Sequence, residues 1–443
     1  MKNDSNLPIG EKIKQIRSAK GISQENMARA IKSNQSYVYR LEQGQAECST
    51  EMLAAIKKFL EIENAPLMEH EISMYRHRIW VWIGLLDTNR FAEAKDVQSE
   101  LSSILDLPFE HDLCFMFNMV KAAAHLKEFD MPAAMQTMDG MDDLADGVSN
   151  AALYMYHRNK GIINALHGDN KSGLKHFLHA LDFESDKIKV DGATLSNIGV
   201  LYLGLGRPYN AMIYLERAYK ESQRSHAYYS GPHITAALAS AYMYLGEYKN
   251  AKRLFDTAYD QAKSIGNDMQ IELTLLNLSL LNIKMGNYEE GVECCNQALT
   301  HIQKSGLQNK KYTSNKGLNN SPQCIMALFN KGLGLLKMKE FAQCQGVLDQ
   351  GKALAKGDEK ASIMFDTLRH FTTLKESNSE KYIEDIAIPY FRAGDGSDKL
   401  MILDLCKDLE AHYKKKRAKI KALSIAAIIR DIYEEMYTGE IEL

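Results

Sequence analysis

Asparagine recurs at a regular place along this sequence, as Asn159, Asn197, Asn277 and Asn330. Each asparagine amide has one acceptor and two donors, so it can pair with both the N–H and the C=O of an extended peptide. An asparagine at such a place can instead bond to a neighbouring helix of its own protein. Both roles remain open from the sequence, and we favour contact with a peptide backbone.

These asparagines keep a fixed distance from a repeating pattern of small residues. Pairs of mostly small residues seven positions apart follow one another at intervals of 38, 40, 40 and 53 residues. A turn residue precedes each pair by five positions; these residues are Gly168, Gly206, Gly246, Gly286 and Lys339. A helix, a turn and a second helix with small contact residues is the tetratricopeptide pattern, because small side chains let antiparallel helices approach closely. Among the five clear repeats, Ala237 alone breaks the asparagine series.

The pattern predicts an all-α fold in which a right-handed repeat solenoid presents its first helices on a concave surface. By the same register, further side chains face that surface: Arg158, His233, Tyr244, Lys284, Phe329 and Lys337. A lysine or arginine among them can meet a peptide carboxylate. Each of them, taken singly, also fits a packing or solvated position. We expect the concave surface to hold an extended oligopeptide.

The first 44 residues follow a different pattern, with two short helices joined by a tight turn. Apolar residues recur at helical spacing, Gly21 and Gly44 stand where helices must stop, and Ser23 is placed to cap the second helix. This spacing is typical of a helix-turn-helix that binds duplex DNA. Residues 1–44 carry eight Lys and Arg against four acidic residues, whereas the remainder has a net charge of −7. A basic head on an acidic body is expected if only the head meets phosphate.

Residues 9–62 resemble the DNA-binding domain of phage-repressor-type (Xre/Cro) regulators, including the ending Leu41-Glu-Gln-Gly44. The resemblance implies that Gln24 meets a phosphate at the N-terminus of the second helix. It also implies a recognition helix that presents Gln35, Ser36, Tyr37, Tyr39 and Arg40 to the operator. Glutamine pairs well with adenine and arginine with guanine. Ser36 is shorter and the two tyrosines are bulkier than the family pattern, so the operator sequence stays open.

Composition limits the remaining classes of function. The 443 residues include only 8 prolines, and 7 cysteines are scattered without metal-ligand spacing, which fits thiols in a reducing cytosol. No apolar run approaches the roughly 18–20 residues of a membrane span. Phosphate-loop and His/Cys metal motifs are absent from the sequence. We therefore expect a cytoplasmic protein that has no membrane contact, no cofactor, no bound metal and no enzymatic activity.

The patterns also predict the domain boundaries. A helix-turn-helix domain over residues 1–65 is followed by a hinge over 66–71 and by about eight repeats over 72–395. Degenerate turns near Asn89 and Phe129 extend the array towards the head. Capping helices are expected over 396–443. A polar insertion, residues 306–321, is expected to form an exposed loop.

A phage-repressor-type head on an array of long tetratricopeptide repeats resembles the cytosolic receptors for secreted signalling peptides of Gram-positive bacteria. These are the Rap, NprR, PlcR, PrgX and Rgg relatives, and the chain is similar in length and layout to the NprR branch. The resemblance implies a homodimeric quorum-sensing regulator that binds a DNA operator. A short imported oligopeptide in the concave groove would then change that binding. In these relatives groove asparagines hold the peptide backbone, which agrees with the series above.

A second hypothesis belongs to a different class of function. In this hypothesis the array is a docking adaptor that binds a response regulator and inhibits it or removes its phosphate, with the head secondary. Some of the same relatives act in this way, and the sequence contains no motif that would establish it here. A DNA-binding assay with and without peptide separates the two hypotheses.

Overall fold

The computed structural model describes residues 8–185, 188–224, 230–308, 321–374, 376–394 and 396–437. Within these ranges the regular structure is helical and no strand occurs, which confirms the predicted all-α class. The chain divides into two compact units, Met1–Lys189 and Val190–Leu443, called here the N-terminal unit and the C-terminal unit. Most of the predicted insertion, residues 309–320, lies outside the described residues.

The N-terminal unit begins with four helices that form the head: α1 (Ile9–Ala19), α2 (Gln24–Ala30), α3 (Gln35–Glu42) and α4 (Thr50–Leu60). Their apolar faces meet around Ile13, Val38 and Ile56, which are fully buried. Ser23 caps α2 as predicted, since its side-chain oxygen accepts a hydrogen bond of 3.1 Å from the backbone N–H of Asn26. The head is thus a packed helical domain that holds α3 in a fixed orientation.

Six further helices and a 3₁₀ turn (Ser102–Asp106) complete the N-terminal unit. They are α5 (Glu69–Asp87), α6 (Phe91–Leu101), α7 (His111–Lys127), α8 (Met131–Met138), α9 (Asn150–Leu166) and α10 (Asn170–Leu181). Asn89 and Phe129 have positive φ angles of 56° and 59°, so the chain turns sharply at both predicted degenerate turns. The segment expected to act as a hinge, residues 66–71, includes the first residues of α5.

The head is joined to the following helices by a buried ion pair. Lys12 Nζ lies 2.9 Å from both carboxylate oxygens of Glu110, and the two side chains are only 5% and 4% exposed. The same carboxylate accepts a hydrogen bond of 3.0 Å from the backbone N–H of Leu67. Phe109, 2% exposed, belongs to the core of the head. Because buried charges require a partner, Lys12 and Glu110 fix the head against the start of α7.

The C-terminal unit contains thirteen α-helices in the described part of the chain, with a π-helical turn at Ile383–Ala387. They are α11 (Gly192–Gly204), α12 (Pro208–Arg224), α13 (Gly231–Tyr244), α14 (Tyr248–Ser264), α15 (Asp268–Met285), α16 (Tyr288–Gln308), α17 (Pro322–Lys337), α18 (Phe341–Leu354), α19 (Glu359–Thr372), α20 (Ser377–Tyr382), α21 (Ile388–Ala393), α22 (Gly396–Lys415) and α23 (Lys419–Tyr437). None of the described helices in either unit combines the length and the apolar character needed to cross a bilayer.

Helices α11 to α18 pair as the small-residue pattern predicts. The chain turns after α11, α13, α15 and α17 at Gly206, Gly246, Gly286 and Lys339, all with positive φ. A Cβ atom on Gly199 would lie only 2.4 Å from Cγ of Leu215 in α12. The absence of a side chain at this position therefore lets α11 and α12 approach closely.

Helix α22 lies across the first helices of several pairs. At its start, a Cβ atom on Gly396 would lie 1.8 Å from the backbone nitrogen of Gly206, after α11. Further along, Asp404 forms an ion pair with Lys284 of α15, and Asp408 pairs with Lys337 of α17 at 2.5 Å. We expected residues 396–443 to cap the array. Helix α22 in addition covers part of the surface on which a peptide was expected to lie.

Candidate functional site

The predicted recognition helix is α3, and its own side chains hold it in place. Val38 and Leu41 face the core of the head. Asn34 caps the helix by accepting a hydrogen bond of 2.8 Å from the backbone N–H of Tyr37. The exposed face carries four of the predicted DNA contacts: Gln35, Ser36, Tyr39 and Arg40. Among the described residues these four side chains have no hydrogen-bond or ion-pair partner, so they are free to meet a ligand.

A buried carboxylate sets the orientation of α3 relative to α1 and α2. Glu42, at the end of α3, accepts hydrogen bonds from Arg17 at 2.6 and 3.0 Å and from the Gln24 amide at 2.7 Å. Gln24 was predicted to meet a phosphate. Its side-chain nitrogen is instead bound inside the head, although the residue does begin α2. Gln24 therefore helps to position the recognition helix.

Tyr37 also has a partner within the head. Its hydroxyl donates a hydrogen bond of 3.0 Å to the carbonyl oxygen of Glu47, and the side chain is half-buried. Burial, followed by the nearby Cys48, raises the pKa of the Tyr37 hydroxyl. This contact ties α3 to the loop before α4 and leaves Tyr37 less available to DNA than the four exposed residues.

Two of the four predicted asparagines are buried and bonded to neighbouring helices. Asn159 donates a hydrogen bond of 2.7 Å to the carbonyl of Met119, within the N-terminal unit. Asn330 donates to the carbonyl of Leu276 at 3.2 Å and to the hydroxyl of Ser279 at 2.9 Å, within the C-terminal unit. Both side chains are nearly inaccessible. At these two positions the structure favours the packing role that the sequence left open.

The other two asparagines have a different environment. Asn197 on α11 and Asn277 on α15 are half-buried. No hydrogen bond joins either side chain to another described residue, so both amides keep their donors and acceptor for a ligand. Ala237, at the equivalent place on α13, is buried and apolar. Asn197 and Asn277 are thus the members of the series that remain available for a peptide backbone.

A cavity of about 430 Å³ opens in the C-terminal unit between α13, α15, α17, α19 and α22. Half of the residues predicted to bind peptide line it: Tyr244, Lys284, Phe329, Asn330 and Lys337. Asn277 precedes the cavity residue Leu280 by about one turn on α15, which places the two on neighbouring parts of one helix face. His233 is exposed on α13, and Arg158 is half-buried on α9 of the N-terminal unit; neither lines the cavity.

The cavity wall combines aromatic rings with an excess of positive charge. Tyr244, Tyr248, Tyr288 and Phe329 supply apolar surface. Burial, followed by the nearby Asp404 carboxylate, raises the pKa of Tyr244 to about 12, so its hydroxyl stays protonated. Four lysines and three aspartates also line the wall: Lys284, Lys337, Lys360, Lys407, Asp398, Asp404 and Asp408. The wall therefore carries one more positive than negative charge, which suits a ligand with an anionic group.

The aspartates of α22 are among the cavity residues that the sequence reasoning missed. Asp404 and Asp408 have the i, i+4 spacing of one helix face, and this signal was present in the sequence. Repeat register could not locate them, because α22 lies outside the repeat pattern and its partners Lys284 and Lys337 are 120 and 71 residues away.

The described residues contain no group of three or more side chains placed to hold a metal ion. A pair of histidines lies close together in the N-terminal unit, with Nδ1 of His157 3.1 Å from Nδ1 of His176. Burial, then the charges of His176 and His179, lowers the pKa of His157 to about 4. At neutral pH this pair is therefore a hydrogen bond between neutral rings.

Comparison with protein families and solved structures agrees with both parts of this description. A family model described as "Helix-turn-helix domain" matches residues 8–69, and one described as "Tetratricopeptide repeat" matches residues 193–224 and 274–300. No curated protein sequence matches the chain.

Among solved structures, the apo form of the quorum sensor NprR from B. thuringiensis is similar in fold. It has 15% sequence identity and a TM-score of 0.60, over 81% of this chain and 98% of that one. A Rap protein complexed with competence and sporulation factor has 14% identity and a TM-score of 0.62, over 82% and 98% of the two chains. NprR in complex with its cognate peptide NprX has 15% identity and a TM-score of 0.59, over 81% and 99%.

At these identities the similarity concerns the fold, and it confirms the fold that the sequence resemblance implied. The chain joins an N-terminal helix-turn-helix domain to a tetratricopeptide-repeat solenoid of the fold found in NprR and Rap proteins.

Proposed function

We propose that this protein is a cytoplasmic, homodimeric transcription regulator of quorum sensing. It binds operator DNA through α3, and a short signalling oligopeptide bound at the cavity of the C-terminal unit controls that binding. The convergence of four predicted peptide contacts, Asn330 not counted, on one cavity of about 430 Å³ supports this proposal most strongly. That volume falls in the range of small-molecule and cofactor sites, so it fits a few residues of a peptide.

The head supports the DNA-binding part of the proposal. Gln35, Ser36, Tyr39 and Arg40 are exposed and unpartnered on one short helix, which the Glu42 network holds in place. A glutamine or arginine presented in this way can form the paired hydrogen bonds that distinguish bases in the major groove. The positive charge of the head adds attraction to phosphate.

The cavity and its surroundings support the peptide part. Aromatic rings offer surface for apolar side chains, the lysines suit a carboxylate, and the free amides of Asn197 and Asn277 suit a peptide backbone. Solved structures of this fold include complexes with a peptide or a signalling factor, namely NprR with NprX and a Rap protein with competence and sporulation factor.

Linkage connects the two sites. A peptide that binds one conformation of the repeats better than another shifts the population between them. In a dimer, such a shift changes the separation of two recognition helices, while half-sites on one face of DNA lie about 34 Å apart. A mismatch of a few ångströms removes much of the binding of the second head. The peptide thereby controls operator affinity.

A gel-shift titration tests the proposal. Genomic fragments from around the gene are titrated with the protein, with and without synthetic peptides encoded by neighbouring small reading frames. We expect specific shifts whose midpoint changes at least severalfold with one peptide. Unchanged DNA binding together with tight binding of a phosphorylated response regulator would favour the adaptor hypothesis instead.

Replacement of Gln35 by alanine should weaken operator binding by about 1–3 kcal/mol, because it removes a paired base contact. The measurement is the gel-shift midpoint, with the thermal unfolding of each protein as a check on folding. Gln136→Ala, at an exposed position on α8, is the matched control and should bind as the parent protein does. Operator binding by Gln35→Ala equal to that of Gln136→Ala would place the recognition surface elsewhere.

The asparagines should separate into two classes when they are replaced by alanine. Asn277→Ala and Asn197→Ala remove free amides, so each should weaken peptide binding by about 1–2 kcal/mol without changing stability. Asn330→Ala removes two buried hydrogen bonds, to the carbonyl of Leu276 and to the hydroxyl of Ser279, so it should lower the free energy of unfolding by about 1–3 kcal/mol. Calorimetric titration and urea unfolding measure the two effects. Identical behaviour of all three variants would refute the assignment.

A further inference from the structure

Lysines of the cavity already form ion pairs with aspartates of α22, a helix of the same chain. We propose that α22 is a built-in competitor of the ligand, whose Asp404 and Asp408 hold Lys284 and Lys337 until an anionic group of the peptide takes these lysines over. This inference rests on the proposed function and adds the chemical class of the ligand. The anionic group is a carboxylate, either the peptide's own terminus or an acidic side chain.

The contacts of α22 place its charges where those of a ligand would lie. Asp404 pairs with Lys284 of α15, and both oxygens of Asp408 accept hydrogen bonds from Lys337 of α17, at 2.5 and 2.6 Å. A third pair joins Asp398 to Lys360 of α19 at 2.5 Å. One helix therefore reaches lysines on three successive first helices of the array, all lining one cavity.

The charge balance of the cavity favours an additional anion. Asp404 is shared between two cations, since Lys407 lies 3.4 Å from its other oxygen. With four lysines against three aspartates, the wall has one positive charge in excess. A ligand carboxylate beside Asp404 would balance that charge, whereas an uncharged ligand would leave it uncompensated.

The exposed fractions of the α22 side chains show which of its contacts a ligand can replace. Asp404 and Asp408 are 37% and 36% exposed, so water can solvate them when a ligand takes their lysines. Their partners Lys284 and Lys337 are less exposed, at 13% and 27%, so these lysines need a counter-charge, which a ligand carboxylate can supply in place of the aspartates. The opposite side of α22, by contrast, buries Cys406, Leu409 and Tyr413 in a large apolar cluster. The aspartates can therefore exchange with a ligand while the helix stays attached.

Affinity selection with synthetic peptides tests this inference on the full chain. Three pools of short peptides are used, which share the same apolar and neutral residues. The first has a free terminal carboxylate and no acidic side chains, the second has an amidated terminus and one Asp or Glu, and the third has an amidated terminus and no acidic residue. The peptides retained by the protein are quantified by mass spectrometry.

We expect Asp404→Asn/Asp408→Asn to retain roughly three- to tenfold more peptide than the parent from at least one of the two anionic pools, and no more from the third. The pool that gains identifies the source of the carboxylate. Lys284→Gln/Lys337→Gln should lose the preference for anionic pools. The matched control is Asp349→Asn/Asp366→Asn. It breaks two ion pairs between α18 and α19 outside the cavity, Asp349–Arg369 and Asp366–Lys352. It should behave as the parent.

Two outcomes would overturn this inference and leave the proposed function standing. One is equal retention of the anionic pools by the parent and by Asp404→Asn/Asp408→Asn, and the other is equal retention of all three pools by the parent. Retention of no peptide by any form, with gel-shift activity intact, would instead refute the peptide site of the proposed function and the competitor with it.

Discussion

Replacement of Glu110 by glutamine is expected to lower the free energy of unfolding of the N-terminal unit by about 3–5 kcal/mol. Glutamine keeps the shape of the side chain but leaves the ammonium of Lys12 buried, 5% exposed, without a counter-charge. It also weakens the acceptor for the backbone N–H of Leu67. The cost comes from the desolvated charge that remains, since intact buried ion pairs give little net stability.

Tryptophan fluorescence during urea unfolding measures the unfolding of the N-terminal unit. The sequence contains two tryptophans, Trp80 and Trp82, and both lie on α5 of the N-terminal unit. Glu93→Gln is the control, because its partner Arg90 is as exposed as Glu93 itself, and its unfolding midpoint should match that of the parent.

A double replacement separates the buried charge from the packing of the head. Lys12→Met/Glu110→Leu removes both charges and keeps apolar volume, so it should recover most of the stability lost by Glu110→Gln. A loss below about 1 kcal/mol for the single variant would mean that water reaches the pair. The head would then be attached less firmly than the contacts of Lys12 indicate.

The parts of the fold that depend on local sequence could be predicted. The cap at Ser23, the turn at Gly206 and the close approach at Gly199 each follow from a backbone or steric requirement of a few adjacent residues. The Lys12–Glu110 pair could not be predicted, because 98 residues separate its members. Nothing near Lys12 distinguishes it from a solvated lysine of a basic head.

The asparagine series shows why register alone could not define the candidate site. Register predicted one face for Asn277 and Asn330, and both follow the same small-residue pattern. Asn330 nonetheless lies where the carbonyl of Leu276 and the hydroxyl of Ser279 are within reach, whereas Asn277 has no such neighbours among the described residues. The identity of the neighbouring side chains decides whether an amide is bonded internally or is left for a ligand.

Alanine in place of Gly396 should be the most damaging small substitution in the C-terminal unit, with a loss of about 3 kcal/mol. A Cβ atom there would lie 1.8 Å from the backbone nitrogen of Gly206, and backbone cannot move aside as a flexible side chain can. The start of α22 must therefore shift away from α11. Gly346→Ala is the control, because nothing lies within 4 Å of its added Cβ on α18. It should raise stability by about 0.5–1 kcal/mol.

Cys406 reports whether α22 itself has moved. Its thiol is 1% exposed, and burial raises its pKa to about 12, so alkylation in the parent should be slow on both grounds. Gly396→Ala should accelerate alkylation of Cys406, whereas the buried Cys344 of α18 should react as slowly as in the parent. Peptide mapping measures the alkylation of each cysteine. Unchanged protection of Cys406 would mean that the shift is confined to the first turn of α22. In that case the ion pairs of Asp404 and Asp408, together with the apolar cluster, are sufficient to hold the helix over the cavity.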